Sequence, residues 1–341
     1  IVTSDILGNI AVRLDTLGRY AEAADIGEQA IAMSELVNGP RHPYTLVRMS
    51  NQALVLLRQR KLEAAAELFA ETIRRARQTW PATDPRLAFY IQNYAQTLEL
   101  LGRHDEALPL LQEAADNTRA GIGAESLEFV GRLYGVGKWH IDKGNYAEAI
   151  RVLSEAKDLA LRLQDENGYY VVLASLALGG AQLRSGELQE AERNLRHVIA
   201  NRVRMGRNLV VRAAGWLALL YAVEGRSDEG MPYIRDALAD DEGTNNASLV
   251  APLTVATEFF RLANDLGESL TLGERAQRIA EEQLPPRNWV AALASEQYAR
   301  TLLAAGRAPE ARPLVERPAT DLEGAFGSGD PRVASLRALI E

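Results

Sequence analysis

Three asparagines recur at one phase of the chain, and their side chains are suited to binding a peptide backbone. They lie 42 residues apart, at Asn9, Asn51 and Asn93. A carboxamide offers two hydrogen-bond donors and an acceptor, so it can bond both the N–H and the C=O of an extended peptide, whatever that peptide's side chains are. The alternative is that the three are only solvated polar residues on a helix face.

Residue combinations that would support enzyme chemistry do not occur in the sequence. It contains no cysteine and no HExxH, GxxxxGK[ST] or GxSxG motif, and its histidines do not pair at metal-binding spacing. The four histidines are His42, His104, His140 and His197. We therefore expect a protein that is not an enzyme, with no catalytic residue, no metal site and no cofactor, and we expect His140 to fill space in the core.

The elements that position the asparagines follow from a turn that recurs in steps of 42 or 39 residues. Each turn requires a residue in the left-handed conformation, which favours glycine or asparagine. The eight turn residues are Gly18, Arg60, Gly102, Gly144, Gly186, Gly225, Asn264 and Gly306. Arg60 breaks the rule, so we expect Arg60→Gly to raise the melting temperature.

Small residues flank every turn, as two tightly packed antiparallel helices require. Seven residues before the turn stand Ala11, Ala53, Ala95, Gly137, Gly179, Ala218, Thr257 and Ala299, and five after it stand Ala23, Ala65, Ala107, Ala149, Ala191, Gly230, Ser269 and Ala311. Apolar residues fill the other helix-spaced positions. Each copy is therefore predicted to be a helical hairpin.

A glutamate four residues after most turns could suggest acid chemistry. It stands at Glu22, Glu106, Glu148, Glu190, Glu229, Glu268 and Glu310. These carboxylates fall in the first turn of a helix, where the helix dipole stabilises them by about 0.3–1 kcal/mol. We interpret them as structural.

The segments LGRYAEA (17–23), LGRHDEA (101–107) and KGNYAEA (143–149) resemble the tetratricopeptide repeat. The long period and the turns GPRHP (39–43) and ATDPR (82–86) are similar to the kinesin light chain type, which is also common in bacterial signalling proteins. The resemblance implies an all-α, right-handed α-solenoid, or superhelix, of about eight hairpins over residues 1–326, with residues 327–341 as a capping helix.

Two features modify the last copy of the predicted array. Pro318 is expected to break its second helix. The loop GSGDP (327–331) is expected to lead into a last helix from Arg332 to Glu341.

In this family the first helices line the concave side of the superhelix, which places the asparagines in a groove together with Gln92. Further along, glycines are expected to leave a low floor, at Gly131, Gly135, Gly180 and Gly215, walled by Tyr134, Leu176, Trp216 and Leu219, with Lys138 and Arg212 supplying charge. Aromatic and arginine side chains around a recess are typical of binding hot spots. The candidate peptide-binding residues are thus Asn9, Asn51, Asn93, Gln92, Tyr134, Lys138, Arg212 and Trp216. Alternatively, Trp216 packs between neighbouring copies.

Composition narrows the partner. The net charge of −8 over 341 residues argues against nucleic acid, and no apolar run approaches the roughly 20 residues of a membrane helix. The lack of cysteine suits a reducing, cytoplasmic compartment. The first residue, Ile1, suggests a piece of a longer chain.

We therefore expect a non-enzymatic scaffold that binds an extended peptide segment of another protein, in the interaction or sensor region of a larger bacterial signalling protein. One alternative is a regulatory module that binds a small molecule or short signalling peptide in a central pocket, and another is a purely structural spacer. Neither the partner's identity nor the oligomeric state follows from the sequence.

Overall fold

The computed structural model describes residues 2–201, 207–239, 247–284, 288–326 and 331–340, and within these ranges the chain forms helices and no strand. The helices pair in chain order as α1–α2 (Val2–Thr16, Tyr20–Asn38), α3–α4 (Pro43–Arg58, Leu62–Arg77), α5–α6 (Pro85–Leu100, His104–Gly121), α7–α8 (Leu127–Asp142, Tyr146–Leu163), α9–α10 (Tyr169–Ser185, Leu188–Ala200), α11–α12 (Arg207–Val223, Ser227–Leu238), α13–α14 (Val250–Leu262, Leu266–Gln283) and α15–α16 (Trp289–Ala304, Ala308–Phe326). A 3-10 helix, Ala247–Leu249, precedes α13, and α17 (Pro331–Arg337) comes last.

The turns inside the hairpins have the predicted left-handed geometry. All eight turn residues have φ between 59° and 86°, including Arg60 at 59° and Asn264 at 61°. The N–H that follows the turn residue donates to a carbonyl five residues earlier, as in Arg19 N to Leu14 O at 2.9 Å. This hydrogen bond closes the end of the first helix and confirms the predicted register.

The small residues lie where the paired helices approach most closely. Ala23, Ala65 and Ala149 are fully buried. A Cβ added to Gly230 would lie 2.8 Å from the carbonyl oxygen of Ala218, and one added to Gly137 would lie 2.5 Å from Cγ of Leu153. Larger side chains would therefore separate the helices of each hairpin.

Proline and a capping side chain set the start of two first helices. α3 and α5 begin at Pro43 and Pro85, where the missing N–H of proline costs nothing. The Asp84 carboxylate accepts a hydrogen bond from the Arg86 N–H at 2.9 Å. The predicted turns GPRHP and ATDPR thus end one hairpin and begin the next.

Contacts divide the chain into two compact units, residues 1–132 (the first unit) and 133–341 (the second unit). The core of the first unit includes Leu46, Ile73 and Ile91. The second unit is built around several clusters, which include Leu217 and Phe259.

The expected helix break at Pro318 is wrong. α16 continues from Ala308 to Phe326 through both Pro313 and Pro318. Val315, Ala319 and Leu322 are buried on its inner side, and this packing holds the helix despite the hydrogen bond that each proline removes.

The last helix is shorter than the sequence suggested. α17 ends at Arg337, and its Val333 and Leu336 are buried in the same cluster as Leu302 and Val315. Residues 327–330 of the predicted GSGDP loop, and Glu341, lie outside the described residues.

Candidate functional site

The three asparagine side chains lie on first helices of the first unit, on α1, α3 and α5. Asn9 is exposed, whereas Asn51 and Asn93 are partly buried. None of the three makes a side-chain hydrogen bond to another described residue, and Nδ2 of Asn93 is buried without any partner. A buried amide donor normally has a partner, so its absence within the chain leaves this donor available to a ligand.

Asn51 borders a pocket between α1, α2 and α3 with a volume of about 200 Å³. The walls are largely apolar and include Val12, Leu54 and Val55. For comparison, an apolar cavity of about 150 Å³ can hold benzene. The pocket is therefore large enough for one aliphatic or aromatic side chain beside the Asn51 amide.

Arg48, the basic residue in this pocket, is fully occupied by partners within the chain. Its guanidinium donates to the Ser4 carbonyl at 3.2 Å, to the Tyr44 carbonyl at 2.9 Å and to the Asp5 carboxylate at 2.5 Å. The carboxylate of Asp15, which also lines the pocket, pairs with Arg58 at 2.9 Å. The charges around the pocket are thus paired, which suits a neutral ligand group.

Apolar side chains accompany the amides on α3 and α5. Val47 and Phe89 stand four residues before Asn51 and Asn93, so each shares a helix face with its asparagine. They are 39% and 44% exposed. This face offers hydrogen bonding to a backbone and apolar contact to side chains together.

Gln92 differs from the asparagines because its amide is partly engaged. Its Oε1 accepts a hydrogen bond from Nη1 of Arg132, whose Nε in turn faces the Thr118 hydroxyl at 3.3 Å. Only the donor side of the Gln92 amide remains for a ligand.

The candidate residues of the second unit lie close together. The Arg212 guanidinium carbon is 5.2 Å from the centre of the Trp216 ring. Burial raises the pKa of Tyr134, and the nearby cations Arg212 and Lys138 oppose that rise. Nζ of Lys138 bonds the Asp142 carboxylate, which is buried, so this cation already has a partner.

The open recess expected here is not present at Gly180. A Cβ added to Gly180 would lie 2.5 Å from Cζ3 of Trp216, so the indole ring occupies the space that the glycine leaves. Leu176 and Leu219, expected as groove walls, are each 1% exposed. Trp216 therefore packs between neighbouring copies, the alternative raised from the sequence.

Sequence reasoning missed a cluster of charged side chains in the second unit. Arg184 on α9 forms a two-bond pair with Glu258 on α13, at 3.0 and 2.8 Å. On α15, Arg300 bonds Glu296 at 2.8 Å. These residues, with Arg261, stand between two and ten positions before a turn residue, the phase of the first helices that also carries the asparagines. That shared phase was the signal that could have revealed them.

The recurring glutamates and the core histidine are structural. Glu22 pairs with Arg19 at 2.6 Å, and the same spacing joins Glu106 to Arg103. The hydrogen bond from Arg19 lowers the pKa of Glu22. Burial lowers the pKa of His140, whose Nδ1 lacks a partner.

Two further searches covered the described part of the chain. No group of three or more His, Cys, Asp or Glu in it could hold a metal ion. No helix within those ranges is long and apolar enough to cross a membrane.

Successive helical hairpins with a shared register define this chain as a helical repeat protein. A tetratricopeptide repeat family model matches residues 3–78 and 129–202. The chain thus contains tetratricopeptide repeats, as its motifs predicted. No curated protein matches the sequence.

Solved structures share the fold at low sequence identity. The apo form of the quorum sensor NprR from B. thuringiensis has a TM-score of 0.64 and 15% identity, covering 94% of this chain and 87% of its own. A Rap protein complexed with competence and sporulation factor has a TM-score of 0.61 and 12% identity, covering 95% and 98%. Kinesin light chain nearly identical TPR-like repeats from Podosopora anserina have a TM-score of 0.53 and 18% identity, covering 59% and 94%.

Proposed function

We propose that the protein is a non-enzymatic scaffold whose first unit binds an extended peptide segment along the face that carries Asn9, Asn51 and Asn93. In this proposal it is the interaction region of a larger bacterial signalling protein in the cytoplasm. The observation that carries the proposal is the state of the amides, because Asn93 has a buried donor without a partner and Asn51 borders an apolar pocket.

The spacing of the helices suits an extended ligand. Packed helices lie about 8–10 Å apart, and an extended chain rises about 3.3 Å per residue. Neighbouring asparagines would therefore meet roughly every third residue of a bound peptide. The intervening peptide side chains would contact the pocket and the exposed faces of Val47 and Phe89.

Other residues would add selectivity to this backbone binding. Gln92 keeps its amide donors, and in the second unit Tyr134, Lys138, Arg212 and Trp216 would contact ligand side chains. Arg212 is the strongest of these candidates because it is exposed and stacked on Trp216. The complex of a Rap protein with competence and sporulation factor shows that a protein of this fold can hold a signalling factor.

A small-molecule module with a central pocket is less well supported. The positions expected to line such a pocket, Leu176 and Leu219, are buried, and Trp216 covers Gly180.

A peptide array tests the proposal. Wild-type protein is compared with the double variant Asn51→Ala, Asn93→Ala, and with a control, Gln29→Ala, Gln112→Ala, that removes two exposed amides from second helices. Loss of two to four hydrogen bonds at about 1 kcal/mol each weakens binding by roughly 30- to 1000-fold. We expect the asparagine variant to lose the wild-type spots and the control to keep them. Equal spot intensities for all three proteins would refute the proposal.

A further inference from the structure

The charged cluster of the second unit contains one arginine without a carboxylate. Its cations are Arg184, Arg261 and Arg300, and its anions are Glu258 and Glu296. Arg184 takes Glu258 and Arg300 takes Glu296. The cluster therefore has one positive charge more than its carboxylates neutralise.

The unmatched cation is Arg261, near the end of α13. Its one hydrogen bond runs from Nη2 to Oε1 of Gln297 at 3.4 Å, which is long, and its Nε is buried without a partner. Burial lowers the pKa of Arg261, Glu258 opposes that effect, and Arg300 adds to it. Burying a guanidinium without a counter-ion is costly, and such groups in proteins usually have a paired anion.

The surroundings hold Arg261 in position rather than neutralise it. Gln297, which accepts its one hydrogen bond, is 4% exposed. The side chains of Arg184 and Arg300 are each 31% exposed, so solvent and solutes reach the cluster. Both neighbouring carboxylates are held by other arginines and are not available to compensate Arg261.

We propose that Arg261 is the receptor for a carboxylate group of a peptide ligand. The planar guanidinium presents parallel N–H donors that match the two oxygens of a carboxylate. A single surplus positive charge fits a monovalent carboxylate better than a dianionic phosphate. The inference rests on the proposed function only in taking a peptide as the carrier, and it concerns a site in the second unit that shares no residue with the asparagine face.

Three capped alanine tripeptides distinguish the possible sources of the carboxylate. The first has a free C-terminal carboxylate, the second an amidated C-terminus with glutamate at its centre, and the third neither. Binding is followed by NMR titration of the Arg261 Nε–H signal in the full chain. We expect the first, the second or both to shift the signal and the third to leave it unchanged. Failure of both carboxylate peptides, or an equal response to the third, would overturn the proposal.

Variants separate this site from the asparagine face. Because a hydrogen bond to a charged group contributes about 1.5–3 kcal/mol, Arg261→Met should weaken the responding tripeptide at least about tenfold. Asn51→Ala with Asn93→Ala should leave its affinity unchanged, so this result holds even if the first unit binds no peptide. The same affinity in Arg261→Met and wild type would contradict the assignment.

Stability without ligand provides a second readout, which also shows that the variant is folded. Removing an uncompensated charge should raise the melting temperature, so we expect Arg261→Met to melt above the wild type. A lower melting temperature would show that Arg261 is already compensated within the chain, and it would contradict the proposal.

Discussion

The two units use the same hairpin register but present opposite chemistry at equivalent positions of their first helices. In the first unit these positions carry neutral amides without partners, at Asn51 and Asn93, beside exposed apolar groups. In the second unit they carry buried leucines and an arginine–glutamate pair, Arg184 with Glu258, that joins α9 to α13. The turn residues and small residues that hold each hairpin are common to both units, so the remaining positions can differ without changing the fold.

The largest difference between the units should appear when an inner-face side chain is removed. Arg184→Met leaves Glu258 buried without its partner and should lower the free energy of unfolding by about 2 kcal/mol. Asn51→Ala breaks no bond within the described chain and should change it by less than about 0.5 kcal/mol. Urea unfolding followed by circular dichroism measures both.

A compensating variant sharpens this prediction. The double substitution Arg184→Met, Glu258→Leu replaces the pair by apolar groups and should recover most of the loss. Equal effects of Arg184→Met and Asn51→Ala would show that the two faces do not differ in the way described.

A smaller contrast concerns the two turns without glycine, one in each unit. Arg60 and Asn264 both adopt left-handed φ, which costs a residue with a Cβ about 1–2 kcal/mol, but asparagine tolerates this region better. Arg60→Gly should therefore stabilise the protein by about 1 kcal/mol, and Asn264→Gly by a few tenths. Thermal melts of both variants test the order. A greater gain from Asn264→Gly would reverse the argument.

The hairpins could be predicted from sequence because their causes are local. A left-handed residue closes a helix within one turn, and a small residue is required wherever paired helices touch, so the spacing of Gly18, Gly102 and their equivalents determined the register. Pro318 showed the limit of local reasoning, since packing around Val315 and Leu322 kept the helix intact.

The candidate site was less predictable because it depends on neighbouring copies. Whether Gly180 opens a recess depends on where the Trp216 ring lies, and the pairing of Arg184 with Glu258 joins residues 74 positions apart. The phase of a residue shows which face it occupies, but the side chains of other copies decide whether that face is filled, paired or open.

The central claim is that Asn51 and Asn93 bind the backbone of an extended peptide, and their side-chain amide NMR signals test it directly. A peptide selected on the array is titrated into the protein, and the signal of Asn38, whose amide already bonds Ser34, serves as the reference. The account predicts that the Asn51 and Asn93 amide signals shift and saturate together with binding while that of Asn38 stays in place. Saturated binding with unchanged Asn51 and Asn93 signals would contradict it.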